Sequence, residues 1–251
     1  MTAGTLVRKA VKAAALPVGI GRSAQSDTIV LLYHRIGPGR AEIDTPVDRF
    51  ERQLSLLAST GRVRALPEVL QRAGGVVVTF DDGTPDFFDA ALPALVRHRI
   101  PAALYVATAW IGGRGLSWDR LRKIAATGLI EIASHTHDHL ELAHADERSA
   151  LEQMRRSKEI LENGLGRECA HLAYPFAVGS PAADRVARRL FRSAALGAWR
   201  TNRAPFDPYR IGRVPILRSD GDAFFRAKIR GRLDAEGLAY RIAGRGPWRI
   251  G

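Results

Sequence analysis

The stretch "GGVVVTFDDGTPDFFDAALP", residues 74–93, decides the fold because it joins a buried strand to a pair of acidic residues. Three valines in a row, followed by Thr79 and Phe80, are typical of a strand that is covered on both faces. This strand runs directly into Asp81 and Asp82. Adjacent carboxylates repel each other and lose hydration beside an apolar core, so the pair predicts a compensating cation or a chemical task.

Similar short apolar runs recur along the chain and alternate with helical patterns. Runs that read as strands span residues 28–34, 76–82, 102–108, 130–136, 171–177, 193–197 and 211–217. Apolar residues at three- and four-residue spacing predict helices near 47–58, 86–98, 117–127, 146–163 and 182–190. The alternation indicates a parallel sheet. About seven such strands, without a Gly-x-Gly-x-x-Gly turn after the first, favour a closed or nearly closed β/α barrel over an open dinucleotide-binding sheet.

Several helix boundaries can be predicted from single residues. Ser117 and Asp146 precede helical patterns and can cap the first turns of those helices. Gly128 and Gly164 follow helical patterns and are expected where the helices end.

Composition limits the class of protein. A chain of 251 residues with 46% hydrophobic residues is long enough for one large α/β domain. A single cysteine, Cys169, excludes an internal disulfide. The net charge of +12 predicts attraction to anionic surfaces, but the basic residues form no block interleaved with aromatic residues. We therefore expect no nucleic-acid partner.

The chain divides into three predicted segments. Residues 1–26 form a basic N-terminal segment whose apolar stretch is short and interrupted, so it resembles either a poor secretion signal or a membrane-surface segment. Residues 27–218 contain the barrel, and residues 219–251 form a helical and basic C-terminal extension. We expect a cytoplasmic or membrane-peripheral protein in contact with anionic lipid, and secretion to the cell envelope is the alternative.

The strand pattern places several polar residues at one end of the predicted barrel. Active sites of β/α barrels lie at the carboxyl ends of the strands. His34, Asp81, Asp82, His135 and Phe176 all fall at such ends. We therefore expect these five residues on the same face.

The histidines of "SHTHDHL" are the natural companions of the aspartates. His135 and His139 are four residues apart and can converge on one cation, while His137 points elsewhere. Two imidazoles and one carboxylate form the ligand set of an open hydrolytic zinc site. Taken alone, Asp-Asp-Gly is a common solvated turn and a histidine cluster is commonly a surface feature. The combination on one face favours a metal site in which one aspartate is a ligand and the other is free.

These motifs resemble those of a known family. "TFDDG" followed by "SHTHDH" is similar to the first two motifs of the polysaccharide deacetylase family, carbohydrate esterases of the NodB-homology type. "LLYHRIG", "FERQLSLLASTG", "WIGGRGLSWDRLRKIAATGLIEIASHTHDH" and "LAYPFAVG" follow the order of that family as well. The resemblance implies a deformed (β/α) barrel that removes acetyl groups from sugars with the help of a divalent metal, usually Zn²⁺.

The resemblance also implies roles for individual residues. Asp82, His135 and His139 would bind the metal, and Asp81 would be the general base that deprotonates the attacking water. The backbone N–H near Phe176 would help to stabilise the oxyanion.

Two features depart from the pattern of the family. Its third motif carries an arginine that orients the catalytic aspartate, whereas this chain has Ala173 there, so Tyr174 or an arginine from elsewhere would have to substitute. No Leu-x-x-His motif supplies the general acid near the last strand, and His34 is the substitute candidate for an acid or a substrate contact. A histidine hydrogen-bonded across the barrel mouth is the alternative interpretation of His34.

The sequence as a whole predicts a metal-dependent deacetylase that hydrolyses acetyl groups, most readily N-acetyl amides, of a glycan or sugar and releases acetate. An O-acetyl esterase and a catalytically weak glycan-binding barrel are the alternatives. Trp110, Trp118 and Trp199 are candidates for a sugar-stacking surface, although structural packing is the simpler interpretation.

Overall fold

The computed structural model describes residues 26–198 and 200–232 of the chain. Most of the predicted segment 1–26, the part of the predicted extension beyond residue 232, and Trp199 lie outside the described residues. Within the described ranges, no helix has the length and apolar character that a membrane span requires.

Seven parallel strands close into a barrel, which confirms the predicted deformed (β/α) barrel. In barrel order these strands are β1 (Thr28–Tyr33), β4 (Gly75–Phe80), β5 (Ala102–Val106), β6 (Ile130–Ser134), β7 (His171–Ala173), β8 (Ser193–Gly197) and β9 (Ile211–Pro215). The last strand, β9, pairs with β1 through Val30 and Arg213, and this pairing closes the sheet. Two short strands, β2 (Arg35–Ile36) and β3 (Asp44–Thr45), pair with each other outside the barrel.

Helices follow most strands and cover the barrel. They are α1 (Val47–Ser59), α2 (Leu66–Gln71), α3 (Leu92–His98), α4 (Trp118–Ala126), α5 (Glu147–Leu165), α6 (Pro181–Leu190) and α7 (Asp222–Lys228), with a π-helical turn at Phe87–Ala91 before α3. The five longer helical segments match the predicted ones. Periodicity did not predict α2, because six residues give too few turns for a pattern. Helix α7 lies within the segment 219–251, which was predicted to be a helical extension.

The predicted starts of two helices are confirmed. The side chain of Ser117 accepts a hydrogen bond from the backbone N–H of Arg120, and Asp146 accepts one from Ser149. Each cap satisfies a backbone donor of the first turn that has no partner inside the helix.

One predicted helix end is correct and one is wrong. Gly128, with a φ of +65°, follows the end of α4. Gly164 lies inside α5, which ends at Leu165 and is followed by Gly166, with a φ of +67°. A Cβ on Gly164 would lie 2.1 Å from a ring atom of Trp118, so this glycine serves helix packing and not termination.

The predicted strand at 171–177 is shorter in the structure. Strand β7 ends at Ala173, and Pro175–Ala177 form a 3₁₀ turn. Pro175 has no backbone N–H to donate to a neighbouring strand, which limits the length of β7.

The inside of the barrel is lined by small side chains. The inner apolar cluster contains Val30, Leu66, Val69, Val77, Ala103, Tyr105, Ala133, Ala173, Ala195 and Ile211. Four strands contribute an alanine to it, which leaves room for two large side chains. These are Tyr105 and Arg213, whose guanidinium lies 5.3 Å from the Tyr105 ring centroid. A second, larger cluster fills the space between the strands and the helices.

Candidate active site

All five residues predicted at the strand ends lie at the carboxyl ends of barrel strands. His34 follows β1, Asp81 and Asp82 follow β4, and His135 follows β6. Phe176 lies in the 3₁₀ turn after β7. Because all barrel strands are parallel, these ends meet at one face of the barrel.

A tight turn separates the two aspartates. Asp82 has a φ of 76° and Gly83 a φ of 74°, both in the left-handed region. The Gly83 N–H donates to the Asp81 carbonyl at 3.0 Å. A left-handed aspartate costs on the order of 1 kcal/mol, and such strain is concentrated at functional sites. The turn gives the two carboxylates different surroundings.

Asp82 faces the two histidines that the sequence predicted as its companions. Its Oδ1 lies 3.3 Å from Nε2 of His139 and 3.7 Å from Nε2 of His135. One donor atom from each of the three residues lies within 4.8 Å of the others, which is close enough for all three to bind one metal ion. The structure thus brings together the three predicted ligands.

The tautomer of His135 suits metal binding. Its Nδ1 lies 2.9 Å from the carbonyl oxygen of Ala173, which can only accept a hydrogen bond. Nδ1 therefore carries the proton, and the lone pair of Nε2 points toward Asp82. Burial lowers the pKa of His135, and the nearby Asp81 does not reverse this effect, so the neutral form is favoured.

The loop that carries His139 is held by a helix. Gln153 of α5 accepts a hydrogen bond from the Asp138 N–H at 2.8 Å and donates one to the Asp138 carboxylate at 2.7 Å. His139 has a left-handed φ of 58°. His137 turns away, as predicted, and its Nδ1 lies 2.8 Å from the Thr108 hydroxyl. These contacts fix the orientation of His139.

The carboxylate of Asp82 stays ionised. Burial acts to raise its pKa, but the hydrogen bond with His139 and the nearby His34 and His135 lower the pKa well below its usual value. An ionised carboxylate beside two imidazoles is the form that can bind a cation.

Asp81 has a different partner, which the sequence did not reveal. Nη1 of Arg213 lies 2.6 Å from its Oδ1, and Nη2 lies 2.8 Å from its Oδ2, which forms a bidentate pair. Both side chains are almost fully buried. Burial acts to raise the pKa of Asp81, but Arg213 and His135 together lower it below its usual value. Asp81 is therefore a buried, ionised carboxylate held in one orientation.

Arg213 makes the contact with Asp81 that the family resemblance assigns to the missing motif arginine. It comes from β9, whereas the family motif would place an arginine on β7, at Ala173. The available signal was a charged residue inside the apolar strand "IGRVPIL". A buried arginine needs a carboxylate, so this residue could have been paired with an unpartnered aspartate.

The remaining two predicted residues, His34 and Phe176, have different neighbours in the site. His34 lies close enough to both carboxylates to lower the pKa of each. Phe176 has a left-handed φ of 52°, and its ring centroid lies 5.0 Å from that of His139. Two hydrogen bonds close its turn, from Ala177 N–H to Tyr174 and from Val178 N–H to Pro175, and neither uses the Phe176 N–H.

The predicted tryptophans separate into different environments. The Trp110 ring lies 4.8 Å from the His139 ring at the mouth of the barrel. Trp118 packs against Gly164 between α4 and α5.

Comparison with known proteins identifies the family. Residues 71–193 match the sequence model of the family described as polysaccharide deacetylase. That segment contains Asp81, Asp82, His135 and His139, whereas His34 and Arg213 lie outside it.

Two curated relatives share part of the sequence. A putative polysaccharide deacetylase of Bacillus subtilis, YxkH, is 28% identical over 156 residues, which are 58% of this chain and 55% of that protein. A poly-beta-1,6-N-acetyl-D-glucosamine N-deacetylase of Staphylococcus aureus is 26% identical over 115 residues, 40% of each chain. The chain thus spans about half the length, or less, of these curated relatives.

Two solved structures share the fold. The Streptococcus pyogenes deacetylase PplD superposes with a TM-score of 0.75 at 21% identity, over 82% of this chain and 99% of that one. IcaB from Ammonifex degensii superposes with a TM-score of 0.72 at 27% identity, over 81% of this chain and 96% of that one.

Proposed function

The chain belongs to the polysaccharide deacetylase family, and from this premise we propose that it hydrolyses the N-acetyl groups of a glycan and releases acetate. One observation carries the proposal. The two adjacent carboxylates are divided between two tasks, because Asp82 faces two histidines while Arg213 holds Asp81 in a bidentate pair.

The donor atoms at Asp82, His135 and His139 fit a divalent metal, and we propose Zn²⁺. Two imidazole nitrogens and one carboxylate oxygen match the three protein ligands of hydrolytic zinc sites, which leave a coordination position open. When bound there, the ion would polarise the acetyl carbonyl and lower the pKa of a water molecule.

Asp81 is the proposed general base. Arg213 keeps its carboxylate ionised at neutral pH, and its Oδ2 lies 3.7 Å from Nε2 of His135. The carboxylate therefore lies beside the three proposed metal ligands without being one of them. It can accept a proton from water that attacks the acetyl carbon, and a fixed base of this kind contributes about 10²- to 10⁴-fold to the rate.

Two further groups complete the proposed mechanism. The Phe176 N–H, which neither turn hydrogen bond uses, can donate to the oxygen of the acetyl group as negative charge develops on it. His34, near both aspartates, can donate a proton to the departing amine nitrogen. The products are acetate and a sugar with a free amine.

The relatives support a glycan with N-acetylated amino sugars as the substrate class. The Staphylococcus aureus protein is named a deacetylase of poly-beta-1,6-N-acetyl-D-glucosamine. A missing arginine beside Asp81 would support the alternative of a catalytically weak glycan-binding barrel, but Arg213 contacts Asp81 directly.

The test is acetate release from an N-acetylated glucosamine oligosaccharide, beside an O-acetylated sugar and with elemental analysis of bound metal. We expect Asp81→Asn to keep the metal and lose at least 100-fold in turnover. The double variant His135→Ala/His139→Ala should lose both metal and turnover. Full turnover in Asp81→Asn would remove that residue as the base. Release from the O-acetylated sugar alone would replace the amidase with an esterase.

A further inference from the structure

The loop Trp110–Leu116 lies between β5 and α4 at the mouth of the barrel. Its first residue, Trp110, contacts the imidazole of His139, with 4.8 Å between the ring centroids. A sugar bound with its acetyl group at the proposed metal ligands would therefore have a neighbouring sugar within reach of this loop.

The loop is fixed to both segments that carry the proposed ligands. Before it, the Ala109 N–H donates to the His137 carbonyl at 3.0 Å. At its end, the Leu116 N–H donates to the carbonyl of Gly83, next to Asp82, at 2.9 Å. The position of the loop relative to the site is thus set by backbone hydrogen bonds.

The loop is also closed on itself. The N–H groups of Gly113 and Gly115 both donate to the Trp110 carbonyl, at 3.0 and 2.9 Å. A Cβ on Gly115 would lie 2.9 Å from that carbonyl oxygen, so only glycine fits this close approach. Arg114 lies between these two glycines and is presented by a closed turn.

Arg114 is exposed, and its guanidinium lies over the Trp110 ring, 3.4 Å from the ring centroid. Stacking on an aromatic ring restricts the side chain but leaves the N–H donors at the edge of the guanidinium available. Among the described residues no carboxylate forms an ion pair with Arg114, whereas the next arginine, Arg120, pairs with Asp89 at 2.9 Å.

This stack changes the interpretation of Trp110. The ring face that Arg114 covers is closed to a sugar, so Trp110 supports Arg114 and contacts His139. Phe176, with 47% of its surface exposed, is the more open of the two aromatic rings beside His139.

We infer that Arg114 is a specificity-determining residue that binds a carboxylate on the sugar next to the one that loses its acetyl group. A planar guanidinium pairs with a carboxylate through two parallel hydrogen bonds, and a stacked guanidinium has already lost most of its rotational freedom. The substrate class is then an acidic glycan, in which uronic acids neighbour N-acetylated amino sugars. The inference rests on the proposed function, because it places the acetylated sugar at Asp82, His135 and His139.

The test compares two oligosaccharides of equal length. One is a neutral oligomer of N-acetylglucosamine, and the other alternates N-acetylglucosamine with glucuronic acid. We expect the wild type to have the higher kcat/KM for the acidic oligomer. Arg114→Gln should lower the acidic-to-neutral ratio of kcat/KM at least tenfold, mainly through KM.

The overall charge of +12 attracts any anionic polymer, so the control must change the charge equally at another place. Arg72 is exposed and precedes β4, at the end of the barrel opposite to Asp81. Arg72→Gln should leave the ratio within twofold of wild type. An equal loss in Arg72→Gln and Arg114→Gln, or no preference of the wild type for the acidic oligomer, would overturn the inference.

Direct binding separates this inference from the proposed function. Isothermal titration calorimetry of the acidic oligomer needs no turnover. If neither the wild type nor the variants release acetate, but Arg114→Gln weakens binding of the acidic oligomer and Arg72→Gln does not, the proposed function fails and the acidic subsite stands. If acetate is released and Arg114→Gln binds the acidic oligomer as wild type does, the subsite fails and the proposed function stands.

Discussion

Two buried ion pairs, Arg213–Asp81 and Lys228–Asp220, contact strand β9, and they differ in their surroundings. Inside the barrel, Arg213 of β9 holds Asp81 beside the donor atoms of Asp82, His135 and His139. Beyond the end of β9, Lys228 of α7 donates to Asp220 and to the Pro215 carbonyl, each at 2.7 Å. Both pairs are almost entirely removed from water.

The difference lies in the groups that each carboxylate contacts. Asp220 also accepts a hydrogen bond from the Leu217 N–H at 2.8 Å, so the Lys228 pair fastens the turn after β9 to α7. The Arg213 pair lies beside a cluster of potential metal ligands and connects strands whose residues are 132 positions apart. Burial is common to both pairs and therefore does not distinguish the pair that we propose for catalysis from the other. The groups around each carboxylate distinguish them.

The largest expected effect comes from removing Arg213. Arg213→Met should lower turnover about 10³-fold, because Asp81 loses the cation that keeps it ionised and oriented. It should also lower the free energy of unfolding by about 3 kcal/mol, since a buried charge is left unpaired. Acetate release and urea unfolding measure the two effects.

Moving the arginine to its family position sharpens this prediction. In the Arg213→Ala background, Ala173→Arg should recover at least tenfold of the lost turnover. Both side chains belong to the inside of the barrel, and the alanine at 213 provides space. No recovery in a folded double variant would show that Asp81 depends on more than a nearby guanidinium.

The second pair should affect stability and not turnover. Lys228→Met should lower the free energy of unfolding by about 3 kcal/mol, because Asp220 and the Pro215 carbonyl both lose the buried ammonium that donates to them. Turnover per folded molecule should stay within twofold of wild type. A 100-fold loss of turnover in Lys228→Met would erase the distinction between the two pairs.

The smallest expected effect concerns a buried histidine, His171, whose neighbouring charged groups disfavour its protonated form. Burial lowers the pKa of His171 to about 4, and Arg192 and Lys158 act in the same direction. Its unfolded pKa is about 6.5, so between these values only the unfolded chain takes up a proton, and stability falls as the pH falls. We expect a loss of about 2 kcal/mol between pH 7.5 and pH 5.

Urea midpoints at the two pH values test this expectation. His171→Leu should flatten the pH dependence, whereas His144→Leu, which removes an exposed histidine, should keep it. If His171→Leu loses as much stability as wild type between the two pH values, the acid sensitivity has another source. Together with the two ion pairs, this variant compares buried groups that have a partner of opposite charge with His171, whose Nδ1 lies 2.9 Å from the neutral Ser193 hydroxyl.

The strands, the longer helices and the strand-end residues could be predicted because their signals are local. Hydrophobic periodicity lies within one element, and the predicted ligands His135 and His139 are four residues apart. Asp82 and His135 both follow barrel strands, so the predicted barrel alone is enough to place them on the same face.

Arg213 could not be found in the same way. Its partnership with Asp81 depends on the closure of the barrel between β9 and β1, and no local pattern encodes this closure. The position of Gly164 was misread for a related reason. Its role is set by the Trp118 ring from another helix, whereas the prediction considered only its own.

The alanines inside the barrel leave limited space there. Whether a large side chain is tolerated at position 173 therefore depends on the size of the residue at position 213. The inner cluster that contains Ala173 also packs Tyr105, against which Arg213 lies, so a large side chain on β7 would have to share that space with the guanidinium. Overpacking of this kind costs about 1 to 3 kcal/mol. The two sites are therefore expected to show epistasis. An arginine on β7 is expected to be harmful while β9 carries its own and beneficial once that one is gone, so either substitution made alone is expected to be deleterious.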